Sequence, residues 1–540
     1  MNYNRPKVQG ATVFPRNFQN LINFKAFPRQ NQSRGRRSSS RLSITGLVRS
    51  MNRCFVPAIV LIGMFSPAQP ASGQSGPEAI HIEFHSPGRP FPHYWEAMFG
   101  SGRAILSLRQ SWRDDLRAVR AATGIEYVRF HGIFDEETGA VNPDGSYNFS
   151  YIDEIYDGLI EMGVRPFVEL SFMPKALAVS DKPHAFWYKP LPNPPKDYSA
   201  WARLIEAFTR HVIERYGSTE VEKWYFEIWN EPNIDFWTGE PKQSTYFELY
   251  DHAAKAVKSV DAKLRVGGPA TAQAAWIPAF IEHCVRENVP VDFVSTHVYG
   301  NDTAEDVFGT HEKIPRREMV ARAAQKVHEE VARSARPKLP IIWSEYNATY
   351  LNDPNVTDSS FMGPWLANHI SAADGLSDMM SYWCFSDVFE EQGIVKKPFY
   401  GGYGLIAAGH IQKAAFNAFA LLHELGDERL ETASGSALIT RRKDGSIALA
   451  LWNYAEPGEN APDRAFRIEA PRAKTMRVRE VSPDSGSALE KWRQMGMPAF
   501  PSRQQQQTLR EAAKMKPARP LRGGAITLKP QTLALIEIRH

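Results

Sequence analysis

The sequence predicts an α/β fold: a (β/α)8 barrel followed by a C-terminal β-sandwich. Three observations carry this expectation. Short apolar runs alternate with longer amphipathic stretches from about residue 95, the runs end in polar or aromatic residues, and after about residue 412 the texture changes to short alternating strands. The clear strand-like runs are 126–133, 164–172, 224–232, 264–270, 292–300, 339–347 and 379–387, and an eighth, weaker one falls at 96–102. Between them lie helical patterns. In 201–216 the residues Trp201, Leu204, Ile205, Phe208, Val212, Ile213 and Tyr216 recur at three and four residues and make one apolar face, while the helix before the run at 164–172 ends on Gly163, a natural C′ glycine. Strand–helix–strand repetition of this kind means parallel strands with crossover helices. A doubly wound sheet would also alternate, but no GxGxxG follows an early strand.

The chain divides on this reading into a basic leader (1–77), a segment with a strand of the sandwich near 81–86 (78–94), the barrel (95–411), and the sandwich with its linking helix (412–540). Asp444-Gly445 reads as a hairpin turn, and the Gln- and Arg-rich stretch 501–523 as a solvated loop. The formal charge of +4 belongs to the leader. Its eleven Lys/Arg face no acid, and removing them from 64 leaves 53 bases against 60 acids, a net −7 for residues 78–540. Binding of nucleic acid through a basic face is therefore not expected. Within the leader, 51–73 has the shape of a secretory signal: a short basic start, an apolar run from Phe55 to Phe65, then small residues. The run is too short to span a bilayer comfortably, so the protein is expected to be exported, with Met51 either the true start or preceded by a long n-region. Of the three cysteines, Cys54 falls in this segment. Cys284 and Cys384 read as two buried free thiols, with a single disulfide as the alternative. Metal-site spacings such as CxxC and HExxH do not occur, and neither a metal nor an organic cofactor is expected. The oligomeric state is not legible.

His131, Glu169, Asn230/Glu231, His297/Tyr299, Glu345 and Trp383/Asp387 all close strand-like runs, and in a barrel those ends converge on one mouth. Glu231 and Glu345 are the candidate catalytic pair. Two carboxyls facing across a cleft suit glycoside hydrolysis, one protonated to serve the leaving oxygen and one ionised to attack the anomeric carbon or activate water. Asn230 is placed to hold a sugar hydroxyl, Tyr299 to hydrogen-bond Glu345, and Trp229, Trp237, Tyr299, Tyr346, Trp383 and Phe385 to offer faces for a pyranose ring. The loop 181–198, rich in proline and aromatics, is expected over the cleft mouth.

From about Gly100 to Gly426 the chain resembles glycoside hydrolase family 39, the β-xylosidases and α-L-iduronidases. The motifs are "YVRFHGIF", "RPFVELSFMP", "WYFEIWNEPN", "VGGPA", "STHVYG", "WSEYNATY", "SYWCFSDVFEEQG" and "PFYGGYGL", and they sit closer to the xylosidase branch. The resemblance implies a retaining mechanism, with Glu231 as acid/base and Glu345 as nucleophile. It also implies sugar contacts from His131, Asn230, His297, Tyr299, Trp383, Glu390 and Glu391. Ser344 stands where related enzymes often have Thr. An exported β-D-xylosidase is the favoured expectation; a glycosidase of another β-glycoside or an exopolysaccharide, and a secreted sugar-binding protein without catalysis, are the alternatives.

Overall fold

The computed structural model describes residues 76–540; the segment 51–73, Cys54 and all but the last two residues of the leader lie outside that range. Eight strands close into a parallel barrel: Met98–Arg103, Tyr127–His131, Arg165–Leu170, Tyr225–Ile228, Arg265–Thr271, Phe293–Tyr299, Ile341–Asn347 and Met379–Tyr382. The run at 96–102 supplies the first of them. Each strand is followed by one main crossover helix, from Gln110–Ala122 to Ala414–Leu422. Several strands stop short of the apolar runs that announced them. The fourth ends at Ile228 and the eighth at Tyr382, so the polar residues that follow belong to turns on the barrel's C-terminal rim.

Period-two alternation along the strands stacks the interior in layers. The floor is apolar, built by Met98, Tyr127, Phe167, Phe293, Ile342 and Met379 with Tyr225 packed against them. Two residues further along the second, third and fourth strands stand Arg129, Glu169 and Glu227, all buried and joined by ion pairs. The barrel is thus sealed below and charged at mid-height, and its open end carries the polar rim.

The C-terminal region is two packed sheets. The larger has seven strands, whose middle is formed by Thr475–Val481, Thr532–Arg539, Ile447–Asn453 and Ala437–Arg441; the smaller joins Glu78–His81, Arg464–Glu469 and Ala525–Leu528. The segment before the barrel contributes a strand to the smaller sheet, but at Glu78–His81 rather than 81–86, paired in parallel with Arg464–Glu469. Ile80, Ile82 and Phe84 enter its core. Asp444 caps the hairpin turn, its Oδ1 accepting from the Ser446 amide at 3.0 Å. The larger sheet is covered on both faces. Ile447, Leu449, Leu451, Ala534, Ile536 and Ile538 pack into the sandwich, whereas the alternate residues Ala448, Ala450, Trp452, Leu533 and Leu535 join the barrel's core. Both Cys284 and Cys384 are buried free thiols.

The stretch 501–523 departs from the expected loop. Arg503–Ala512 is a helix begun by a capping box between Ser502 and Gln505, and it buries Leu509. Four consecutive glutamines hide the helix from a hydrophobic-period reading because one apolar residue anchors it. Among the described residues, no helix is long and apolar enough to cross a membrane.

Lys413, just before the helix Ala414–Leu422, is fully buried between Asp358 and Asp387, 2.7 Å from an oxygen of each, and donates to the Gly402 carbonyl at 2.9 Å. It ties the loops after the seventh and eighth strands to the linking helix, and it takes Asp387 away from the cleft where the sequence had placed it. Lys413→Met leaves two carboxylates buried without their cation and is expected to cost about 3–5 kcal/mol, read as a lowered midpoint in denaturant unfolding.

Candidate active site

The site is assembled around Arg129. This guanidinium, carried inward on the second strand, donates to Glu227 (Nε, 2.6 Å), to Asn230 Oδ1 (Nη2, 2.9 Å) and to Glu345 Oε1 (Nη1, 2.7 Å), and ion-pairs with Glu169 at 2.8 Å. Burial disfavours its charge, but the surrounding carboxylates more than offset this and hold it protonated. The bond to Asn230 also orients that amide, turning Nδ2 away from the guanidinium. Neither Arg129 nor Glu227 was recognised in the sequence. The available signal was an arginine at an inward position of an otherwise apolar strand, facing acids at inward positions of the next two strands.

Glu345 owes its position to a bulge in the seventh strand. Thr296 pairs with Trp343 but His297 with Glu345, and the eighth strand shows the same extra residue, Met380 pairing with Trp343 and Tyr382 with Tyr346. Trp343 and Tyr346 both pack outward against the helices, while Ser344 and Glu345 between them both reach the interior. The expected bond forms: Tyr299 Oη donates to Glu345 Oε2 at 2.8 Å. Desolvation pushes the Glu345 carboxyl up, and Arg129, His131 and the Tyr299 hydroxyl pull it only part of the way back, so it stays above the ordinary range.

Glu231 sits on the turn after the fourth strand, where Trp229 (φ 73°) and Glu231 (φ 44°) both adopt left-handed backbone. Two hydrogen bonds, one long-range and one local, hold this turn. The Glu231 N–H donates to the Ala270 carbonyl at 2.8 Å, and Trp229 Nε1 donates to the Phe236 carbonyl at 2.7 Å. The Glu231 carboxyl is pushed well above the ordinary range, first by desolvation, then by the negative charge of Glu345. His297 lies between the two, Nδ1 3.0 Å from Glu231 Oε1 and 3.7 Å from Glu345 Oε2, with Nε2 3.1 Å from Ser344 Oγ. Desolvation, then the charges of Arg129 and His131, hold it far below the ordinary imidazole range, so it is neutral. The nearest side-chain atoms of Glu231, His297 and Glu345 all lie within 4.8 Å of one another.

On the other flank, His131 shares a hydrogen bond with Glu169 through Nδ1 (2.8 Å). Its Nε2 stands 3.7 Å from both Glu345 Oε1 and Glu391 Oε1. Glu391 Oε1 is buried without a hydrogen-bond partner among the described residues. Desolvation, then the charges of Glu345, Glu231 and Glu169, drive its carboxyl well up. The neighbouring Glu390 does not act with it. Arg109 takes both Glu390 oxygens, at 2.5 and 3.0 Å, and Arg103 approaches at 3.3 Å, so the adjacent pair expected to grip a ligand together is split. His297 likewise has both ring nitrogens within hydrogen-bond distance of protein groups. Trp383 lies over His131, ring centroids 4.7 Å apart, in space that Gly100 leaves open, since a Cβ there would come within 2.1 Å of the indole.

Of the six aromatics expected to offer sugar-facing rings, Tyr299 and Trp383 pack in one cluster with Phe389 and Tyr403, Tyr299 on Glu345 and Trp383 on His131. Trp229, Trp237, Tyr346 and Phe385 are core, filling the space between barrel and helices. The loop 181–198 packs beside the cleft. His184 stacks on Phe236 at 4.2 Å, the Trp187 N–H donates to the Glu391 carbonyl at 2.8 Å, and Arg103 lies over Tyr188 at 5.0 Å.

A closed barrel with paired carboxyls on its C-terminal rim defines a glycosidase scaffold, and comparison fixes the family. Residues 78–524 match the pattern of glycosyl hydrolases family 39. The chain is 40% identical over 440 residues to a β-xylosidase of Geobacillus stearothermophilus, spanning 78% of this chain and 86% of that one. It is 37% identical over 442 residues to one from Caldicellulosiruptor saccharolyticus, spanning 78% and 89%. The human α-L-iduronidase is more distant, at 23% identity over 87% of this chain and 79% of its own. A solved family 39 β-xylosidase of Caulobacter crescentus superposes with a TM-score of 0.75 at 31% identity, covering 86% of this chain and all of that one. The chain belongs to glycoside hydrolase family 39 and is a glycosidase acting on glycoside substrates.

Tyr299→Phe removes the neutral donor to Glu345 and thereby raises that carboxyl's pKa. Activity is lost as pH falls through the pKa of an essential carboxylate, so the acid limb of the kcat/KM profile moves to higher pH. A rate loss of about 10- to 100-fold is expected, the value of a hydrogen bond to a charged group, measured by steady-state kinetics across pH.

Proposed function

We propose that this glycosidase removes β-D-xylose from xylo-oligosaccharides by double displacement with retention. The observation that carries the reading is the Glu231–Glu345 pair, whose carboxyls approach within 4.8 Å but stand in opposed environments. Retaining enzymes hold their carboxyls about 5–5.5 Å apart, and inverting ones leave about 6.5–9.5 Å for a water. Glu345, supported as an anion by Arg129 and Tyr299, attacks the anomeric carbon. Glu231, kept protonated by burial and by the charge of Glu345, gives its proton to the departing oxygen. The resulting Glu231 carboxylate then takes a proton from water, the water attacks the anomeric carbon, and Glu345 is released. Asn230, His131, Tyr299, Trp383 and Glu391 face the sugar in this scheme. The likeness to two curated β-xylosidases at 40% and 37% identity supports xylose as that sugar. Export is part of the same proposal and rests on the signal-like segment 51–73; N-terminal sequencing of the mature protein checks it.

With 4-nitrophenyl β-D-xyloside, wild type is expected to turn over and Glu345→Gln to be inactive. In kcat/KM, which reports formation of the glycosyl-enzyme, Glu231→Gln should lose little on this activated leaving group and about 10²–10⁴-fold on xylobiose. Its kcat on the activated substrate should fall, because the base of the second step is gone. The variant should also lose the alkaline limb of the pH profile, because in wild type activity falls as pH rises through the raised pKa of Glu231. Proton NMR of the first sugar released is expected to show the β-anomer. Turnover of glucosides or galactosides in preference to the xyloside would overturn the assignment of the sugar, and initial α-xylose would overturn retention.

A further inference from the structure

A second group of ligating side chains lies at the closed end of the barrel, away from the catalytic rim. His93 and Glu96 belong to the turn that enters the first strand, and His423 caps the C-terminus of the helix Ala414–Leu422. His93 Nδ1 (2.7 Å) and His423 Nδ1 (2.8 Å) converge on one atom, Glu96 Oε1, and all three donor atoms lie within 4.8 Å of one another. Glu96 is 1% exposed, yet its second oxygen and His93 Nε2 are buried without hydrogen-bond partners among the described residues. Simple ion pairing would spread two imidazoles over both oxygens of a buried carboxylate, satisfying each. Here both crowd one oxygen and the other is left idle.

We propose that His93, Glu96 and His423 bind a divalent transition ion, with Zn²⁺ as the best match. Two imidazole nitrogens and a carboxylate oxygen are borderline ligands that suit zinc, at about 2.0–2.2 Å from the metal. Tetrahedral placement at those lengths separates ligand atoms by about 3.3 Å, so the cluster opens by about half an ångström to admit the ion. The His423 side chain, 45% exposed, provides the solvent path and leaves the fourth position to water. Gly124 stands beside the carboxylate, where even a Cβ would come within 3.1 Å of Oε1. The bound ion staples the floor of the barrel to the end of the helix that leads into the sandwich. This site is independent of the glycosidase chemistry.

The test is titration of the full chain, freed of metal, with Zn²⁺ by calorimetry and with Co²⁺ by visible absorption, comparing wild type, His423→Ala and Glu345→Gln. One equivalent is expected to bind wild type and Glu345→Gln alike, with the intense visible bands of tetrahedral Co²⁺. His423→Ala is expected to weaken binding by at least about 100-fold, more than loss of an outer-shell partner does. Zinc should raise the thermal midpoint of wild type but not of His423→Ala, whose unchanged glycoside turnover without metal shows that its fold is intact. Equal affinity in wild type and His423→Ala overturns the site, as does binding that disappears in Glu345→Gln, which would place the ion on the catalytic carboxylates.

Discussion

One buried cation governs this protein's interior. Five carboxyls, those of Glu169, Glu227, Glu231, Glu345 and Glu391, crowd the upper half of the barrel, and Arg129 makes direct contact with three: Glu169, Glu227 and Glu345. Desolvating this many charges is costly, and it is tolerated where geometry satisfies the guanidinium on every side. The scarcity of positive charge has a chemical result. Arg129 pulls the carboxyls of Glu169 and Glu345 down against desolvation, and the two that do not touch it, Glu231 and Glu391, are driven well up. In the proposed mechanism, Glu345 is the nucleophile because it is the one of the pair that the arginine reaches.

Backbone irregularity completes what charge begins. A regular seventh strand with Ile342 in the floor would turn Glu345 outward, into the layer where Trp343 and Tyr346 pack. The single extra residue reverses that parity for Glu345, while Ser344, inward on regular alternation too, meets His297. A related irregularity in the fifth strand, between Pro269 and Thr271, leaves Ala270 at φ 51° with its carbonyl directed to the Glu231 amide. Both catalytic candidates thus depend on local departures from ideal strand geometry, held by long-range hydrogen bonds.

The barrel, the pairing of Glu231 with Glu345 and the Tyr299 contact were legible in the sequence because they are signalled locally, by alternation, strand ends and motif. The layer beneath them was not. Arg129 and Glu227 lie within strands whose apolar character dominates, and their significance comes from partners on other strands, from Glu169 to Glu345, far along the chain. The split between Glu390 and Glu391 was hidden for the same reason, since it depends on Arg103 and Arg109 from the opposite side of the barrel closure. Aromatic residues misled in the other direction: Trp229 and Tyr346 flank catalytic residues in the chain but point into the helix layer. The helix at Arg503–Ala512 lacks an apolar stripe and is announced only by its cap.

The seven-stranded sheet, buried on both faces, bears on how such a protein can change over evolutionary time. Trp452, Leu533 and Leu535 are as much part of the catalytic domain's interior as of the sandwich's own sheet. A module attached by a linker can be gained, lost or exchanged without consequence for its neighbour. This one cannot, because removal would strip an apolar wall from the helices Met362–Ala372 and Ala414–Leu422. The barrel and sandwich therefore share one apolar wall, and a change of side-chain volume on either side of it must be accommodated by the residues across it.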